Sequence, residues 1–430
     1  MDTKTRLWLV DTREVSKSRE EDPFGLRNLP LEPVHTVPKH YDVFYTNMAP
    51  VVKMLRAMGA LPIRTLPVDG RASCERRGLL YPAMLWSLCM YSGLLTALWF
   101  GYSHNFTDAL GEQSFDTAVM GYLDVAYHLI DLAIPLNNWR EAQRFASYMT
   151  SWTAFQSHYR VVTGRVLEVN FRRRATVFSV LLVIVMCGRE TVYQVLENNV
   201  DNYLVLLTYW YQALLRDTMG LTWYLLCSLL KKTTQSLAVS FQKDVDTAVR
   251  PSLVVARYKG LWLQLSRLVR QTGVATCYTY GFYVLYLFLM LTVSIYGVFS
   301  TLAAGPQLSL VYLIGDSIIT GIQLFVVCDG ASSVSREVGL KFQGRLLDIR
   351  EMHMSDKVAK EVDAFLMTID VCPPEINFGG YVTVNRGILP SLGSMLVTYL
   401  IVLVQFAMSG KAISNHHSNS TSIGPPTPSG

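Results

Sequence analysis

The chain reads as an all-α, polytopic membrane protein with seven transmembrane helices, on three observations. Half of its 430 residues are hydrophobic and only 17% are charged, a balance too apolar for a single soluble core. The charges sit in blocks rather than being spread along the chain. Between those blocks lie seven stretches of about 20 mostly apolar residues, the length a helix needs to cross a bilayer.

The stretches are Leu79–Gly101, Ala118–Leu136, Thr176–Leu196, Tyr203–Leu230, Val274–Ala304, Leu308–Val334 and Ile388–Met408. An odd number of spans puts the termini on opposite sides. Tyr102–Thr117, Glu197–Asn202 and Gly305–Gln307 contain no Lys or Arg, whereas Asn137–Ala175 has seven, Lys231–Gly273 eight and Ser335–Gly387 seven. The positive-inside rule therefore predicts a cytosolic amino terminus and an extracellular carboxy terminus, opposite to G-protein-coupled receptors. The first 78 residues hold 13 Lys or Arg and no signal-peptide-like apolar run, which agrees. The sequons at Asn105 and Asn419 fall on the predicted outer side as candidate glycosylation sites. Structural disulfides are not expected.

Five regions follow. Residues 1–78 form a cytosolic tail with an interfacial helix between Tyr41 and Thr65, where apolar residues mix with Lys53, Arg56 and Arg64. Residues 79–334 form a six-span bundle with cytosolic helical extensions, 335–387 a cytosolic re-entry segment, 388–408 the last span and 409–430 a disordered extracellular tail. Helical stripes at Leu261, Leu265, Leu268 and Val269 and at Val358, Val362, Phe365 and Ile369 predict amphipathic extensions. They are read as an assembly platform; packing within one subunit, or on the membrane surface, is the alternative.

Ionisable residues inside spans are candidate functional groups because each is costly in lipid. At 1.5 Å per residue, Asp124, Arg189, Glu190 and Asp316 come out roughly 9–12 Å below the outer surface. His128 and the Arg216-Asp217 pair lie somewhat deeper. Asp124, His128 and Asp131 share one helix face, and Tyr127, Tyr193, Tyr209, Trp210 and Tyr211 supply aromatic surface at similar depth. These groups are expected to line an outward-opening ligand site; mutual pairing of charges within the bundle is the alternative.

The last span ends in Thr398-Tyr399-Leu400-Ile401-Val402-Leu403-Val404-Gln405-Phe406, preceded by Asn377-Phe378-Gly379-Gly380-Tyr381-Val382-Thr383-Val384-Asn385-Arg386. Both segments resemble the carboxy-terminal signature of insect gustatory receptors. Tyr258 to Leu268, Leu291 to Gly297, and the run from Val43-Phe44-Tyr45 to Gly59-Ala60-Leu61-Pro62-Ile63 resemble the carbon-dioxide receptor subunits of that family. The resemblance implies a ligand-gated, non-selective cation channel, a homo- or heterotetramer with related gustatory receptor subunits, in the plasma membrane of sensory neurons. It implies a pore lined by Val402 and Gln405 with Thr398 on the same face, and Tyr399 and Phe406 at the pore wall or subunit interface. Positions 398, 402 and 405 do make one helical stripe. A modulatory co-receptor subunit responding to other tastants or odorants is the alternative within the family.

Rival classes are weaker. Gly315-Asp316 imitates an intramembrane aspartyl protease, but position 313 is Leu where that motif needs Gly. The halves show no repeat of the kind expected of a secondary transporter. No His/Cys cluster has zinc spacing and no Gly-Lys-Ser/Thr phosphate loop occurs. No enzyme activity, cofactor, metal or nucleic-acid partner is therefore expected; the partners are the bilayer, a small molecule such as carbon dioxide and related subunits.

Overall fold

The computed structural model describes residues 42–65, 72–73, 82–111, 115–196, 203–304, 308–352 and 355–421. They form α1 (Val43–Ala57), β1 (Arg64–Thr65), β2 (Ala72–Ser73), α2 (Pro82–Gly111), α3 (Phe115–Thr163), α4 (Arg172–Leu196), α5 (Tyr203–Thr247), α6 (Pro251–Ala275), α7 (Cys277–Ala304), α8 (Leu308–Val338), α9 (Leu340–Met352), α10 (Asp356–Val371), β3 (Asn377–Phe378), β4 (Val382–Thr383) and α11 (Ile388–Thr421). The strands make two short antiparallel hairpins, β1 with β2 and β3 with β4; the architecture is otherwise helical.

Among the described helices, α2, α4, α7, α8 and α11 contain stretches long and apolar enough to cross a bilayer. The other two expected spans lie in α3 and α5, whose ionisable residues lower their hydropathy; they run through the bundle and are far longer than a bilayer requires. At 1.5 Å per residue the 49 residues of α3 and 45 of α5 extend about 74 and 68 Å, against a hydrocarbon core of about 30 Å. Both must project well beyond it.

The projecting parts are knitted together by aromatic residues. Phe241 of α5 stacks on Phe342 of α9 with ring centres 5.7 Å apart, and Phe365 of α10 packs edge-on against Trp262 of α6 at 5.7 Å. Trp262 donates its indole N–H to the carbonyl of Val338, 2.9 Å away. Leu261, Leu265, Leu268 and Val269 are buried, as are Val358, Val362, Phe365 and Ile369, each apolar side chain worth about 1.5–3 kcal/mol. Both stripes are thus consumed within one chain, so they are not free to form the assembly platform; contacts between subunits would have to use other faces.

Two further expectations are revised. The apolar face of helix α1, read as turned to the membrane interface, is covered by protein: Phe44 packs against Phe145, Tyr148 and Trp152 of α3. Its Asn47 decides the location, donating to the Val169 carbonyl (2.7 Å) and accepting from the Phe171 amide (2.8 Å), while Asp42 caps the helix by accepting from the Tyr45 amide. At the other end, α11 continues past Met408 to Thr421. Ser409-Gly410 is too weak a break to stop it, and the first strong one is Gly424-Pro425.

The long helical run before the fifth span is interrupted only at Thr276. The β3–β4 hairpin is wedged there. A Cβ on Gly273 would lie 2.3 Å from the carbonyl oxygen of Asn377, so only glycine admits this close approach of two backbones. Glu141 of α3 covers the exposed start of α7, accepting from the amides of Tyr278 (2.6 Å) and Thr279 (3.0 Å). Burial pushes its carboxyl above the usual range, against the lowering effect of those hydrogen bonds.

Candidate ligand site and its link to the last helix

Four helices converge on one carboxylate, Asp316 of α8. Arg216 of α5 donates to it at 2.8 Å, the hydroxyl of Tyr127 of α3 donates at 3.1 Å, and Arg189 of α4 approaches to 3.9 Å. Arg189 also pairs with its neighbour Glu190, which accepts from the Tyr312 hydroxyl at 3.2 Å. Asp217 lies 3.6 Å from Arg216 and accepts from Gln323 of α8. Arg216, Asp217, Glu190 and Asp316 are all buried. Two guanidinium groups therefore face three carboxylates, the compensation that ionised groups need away from water.

A second group lies alongside. His128 Nδ1 and Asp131 are 3.0 Å apart, and the His128 ring sits 5.5 Å from that of Tyr209. Tyr286 of α7 ties α3 to α5 nearby, donating to the Tyr127 carbonyl (3.3 Å) and accepting from Gln212 (3.2 Å). Tyr193 stacks on Tyr312 with ring centres 3.9 Å apart. Trp210 donates to Thr191, while Tyr211 turns to the Met58 carbonyl at the end of α1.

Of the candidate ligand residues, Arg189, Glu190, Arg216, Asp217 and Asp316 are thus brought together by α4, α5 and α8, while His128 of α3 pairs with Asp131 instead. Asp124 is on the helical backbone of α3, but its side chain is outside the described set, as are those of Asn105, Phe406 and Asn419. Tyr286, Tyr312 and Gln323 were missed. Asp316, Thr320 and Gln323 are spaced four and three apart, a polar stripe that could have flagged Gln323. Arg216 Nε and Nη2, Arg189 Nη1, Asp217 Oδ2, Asp131 Oδ1 and Thr320 Oγ1 are buried without a protein hydrogen-bond partner. Such atoms are costly unless solvent or a polar guest reaches them.

The same helix that carries Asp316 also holds the entry to α11. Asp329, 13 residues or about 20 Å further along α8, accepts from Arg386 Nε at 2.6 Å just before α11 begins. Trp223 of α5 donates to the Val327 carbonyl (2.9 Å) and meets Phe378 of β3 edge-on at 5.8 Å. Helix α11 itself has no buried residue from Ile388 to Gln405. Thr398, Val402 and Gln405 are exposed on it, while Tyr399 meets Phe288 of α7 with ring centres 6.2 Å apart.

A bundle of membrane-length helices around a buried, partly unsatisfied ionic cluster defines a polytopic membrane protein. The 7tm chemosensory receptor family model matches residues 49–410. The gustatory and odorant receptor 24 of Anopheles gambiae is 33% identical over 366 residues, covering 85% of this chain and 79% of that one. The gustatory and odorant receptors 22 of Anopheles gambiae and 21a of Drosophila melanogaster are each 26% identical, covering 86% of this chain and 79% and 82% of theirs. Solved structures of the olfactory receptor OR5 from Machilis hrabei, with eugenol and without, share the fold at TM-scores of 0.55 and 0.56, with 14% identity over 84% of this chain and 97% of that one. The chain belongs to the insect gustatory receptor family of seven-transmembrane chemosensory receptors, a family of receptors and not of enzymes.

Proposed function

We propose that the chain is a subunit of a ligand-gated, non-selective cation channel serving carbon dioxide detection in the plasma membrane of insect sensory neurons. The subunit works in a tetramer with related gustatory receptor subunits, with its amino terminus in the cytosol and its carboxy terminus outside. The observation that carries this reading is the last helix: an apolar span with no buried residue in the single chain, bearing the exposed stripe Thr398, Val402 and Gln405. Four such helices around an axis would cover one another and leave Gln405 amides facing water, with Val402 as an aliphatic ring that closes by dewetting. In this reading residues 79–334 sense the ligand, 335–387 transmit and 388–408 conduct.

Ligand entry among α3, α4, α5 and α8 would disturb the contacts of Asp316, and α8 would carry the change to Arg386 and so to α11. With both arginines already matched by three carboxylates, the cluster offers no spare cation to bicarbonate. A small neutral solute able to accept hydrogen bonds from the unpartnered Arg216 N–H groups fits better, as dissolved carbon dioxide does.

The test is expression alone and with related subunits, recording cation current while carbon dioxide and bicarbonate are varied independently at fixed pH. Current that follows the dissolved gas and requires this chain is expected. Normal surface density with no current in any combination would sink the reading. The paired words gustatory and odorant in the relatives' names favour a second reading, a modulatory subunit for other tastants or odorants, in which partners conduct alone and this chain only shifts their agonist sensitivity.

A further inference from the structure

We infer that the junction between α3, α4 and α5 is a binding site for the polyphosphorylated inositol headgroup of an anionic membrane lipid in the cytosolic leaflet. An open cavity of about 770 Å³ lies between the end of α3, the segment leading into α4, and α5. Arg165, Lys232, Glu168, Asn170, Gln235 and Ser236 are among its lining residues. Its volume is within the range of small-molecule pockets, roughly 300–1,000 Å³.

Charge surrounds this cavity asymmetrically. Lys232 lies 5.1 Å from the centre of the Phe171 ring, which places it beside the start of α4. There Arg172, Arg173 and Arg174 are exposed and form no ion pair with a described residue. Arg165 is held in an ion pair by Asp244 at 2.8 Å, which fixes its guanidinium at the cavity wall. A single monoanion would need one or two of these groups; the number present suits several phosphates.

The neighbouring surface says why the ligand is a lipid. Immediately above the three arginines, Val177, Phe178, Val180, Leu181 and Ile184 of α4 are 43–65% exposed. An apolar helix side directly over a basic collar is the arrangement that accepts acyl chains above and phosphates below. Glu168 and Asn170 supply acceptors for inositol hydroxyls, which phosphatidylserine lacks. The segment is held rigid by Asn47, which clamps both Val169 and Phe171 to α1, so the site is preformed. The placement in the cytosolic leaflet rests on the orientation proposed above; the binding itself does not.

The test uses the full chain in neutral phosphatidylcholine nanodiscs, with fluorescent phosphatidylinositol bisphosphate as the probe and no agonist. Binding at least about tenfold tighter than that of phosphatidylserine, and tighter than that of soluble inositol trisphosphate, is expected. At about 1 kcal/mol per basic residue, Lys232→Gln weakens it roughly fivefold. The combined Arg172→Gln, Arg173→Gln and Arg174→Gln changes weaken it by more than about tenfold, and the same three positions changed to Lys restore it. Lys357→Gln with Lys360→Gln, on exposed positions of α10, leaves it unchanged. Equal binding by all variants, or no preference over phosphatidylserine, overturns the inference. Soluble inositol trisphosphate binding as tightly as the lipid overturns the lipid assignment. Because no current is read, these failures are distinct from failure of the channel reading.

Discussion

Replacing Arg216 by Gln removes the central cation of the buried cluster. Asp316 would then keep only the Tyr127 hydroxyl at 3.1 Å, a weak Ser294 contact at 3.5 Å and Arg189 at 3.9 Å. Stranding one partner of a buried pair costs about 3–5 kcal/mol. That lowers the folded-to-unfolded ratio by more than about 100-fold. Asp316→Asn should cost about as much, because Arg216 would retain only Asp217 at 3.6 Å. The double variant removes both charges, and its cost should fall short of the sum by about 1–3 kcal/mol. Unfolding of purified receptor in mixed detergent micelles, followed by tryptophan fluorescence, measures all three. Single changes costing under about 1 kcal/mol, or costs that simply add, would refute the claim that these charges act as one buried unit.

Gly273→Ala should cost about 1–3 kcal/mol by forcing the β3–β4 hairpin away from α6, whereas Gly260→Ala, where an added methyl meets nothing within 4 Å, should be neutral or stabilising by up to about 1 kcal/mol; thermal unfolding compares them. Arg386→Gln breaks a partly exposed pair with Asp329, so stability should fall by no more than about 1 kcal/mol while the agonist dose–response curve shifts; an unshifted curve removes the proposed link from α8 to α11. Glu141→Gln tests pH linkage. The native carboxyl is raised by burial, so its charged form carries a penalty that is full above the raised value and vanishes as pH falls below the ordinary value of 4.5. The native receptor should therefore gain stability on acidification across that window relative to Glu141→Gln, which at neutral pH loses one acceptor, about 1 kcal/mol.

Five of the membrane helices were legible because their lipid-facing sides are continuously apolar. The spans in α3 and α5 required tolerating charges inside an otherwise helical pattern, which hydropathy alone penalises. Counting 1.5 Å per residue put Arg189, Glu190 and Asp316 at one level and Arg216 deeper, yet Arg216 makes the closer ion pair with Asp316, at 2.8 Å against 3.9 Å for Arg189, because its long side chain spans the difference. What one sequence does not give is helix rotation and neighbour order, so Tyr286 and Tyr312 stayed hidden among many tyrosines. The stripes on α6 and α10 show the same limit from the other side. A stripe announces that something covers it, but Phe365 looks the same whether Trp262 of its own chain or a second subunit does so. Helix α1 shows the limit as well, since Asn47 acquires meaning only when Val169 and Phe171 lie beside it.

The most direct test of the channel account is aqueous accessibility of the last helix. With Val402→Cys or Gln405→Cys in the assembled receptor, a charged thiol reagent applied during agonist exposure should block the current irreversibly, and do so faster than with the channel at rest. Robust current that stays unaffected at both positions, in a receptor whose Val397→Cys control behaves identically, would mean that α11 does not line the conduction path.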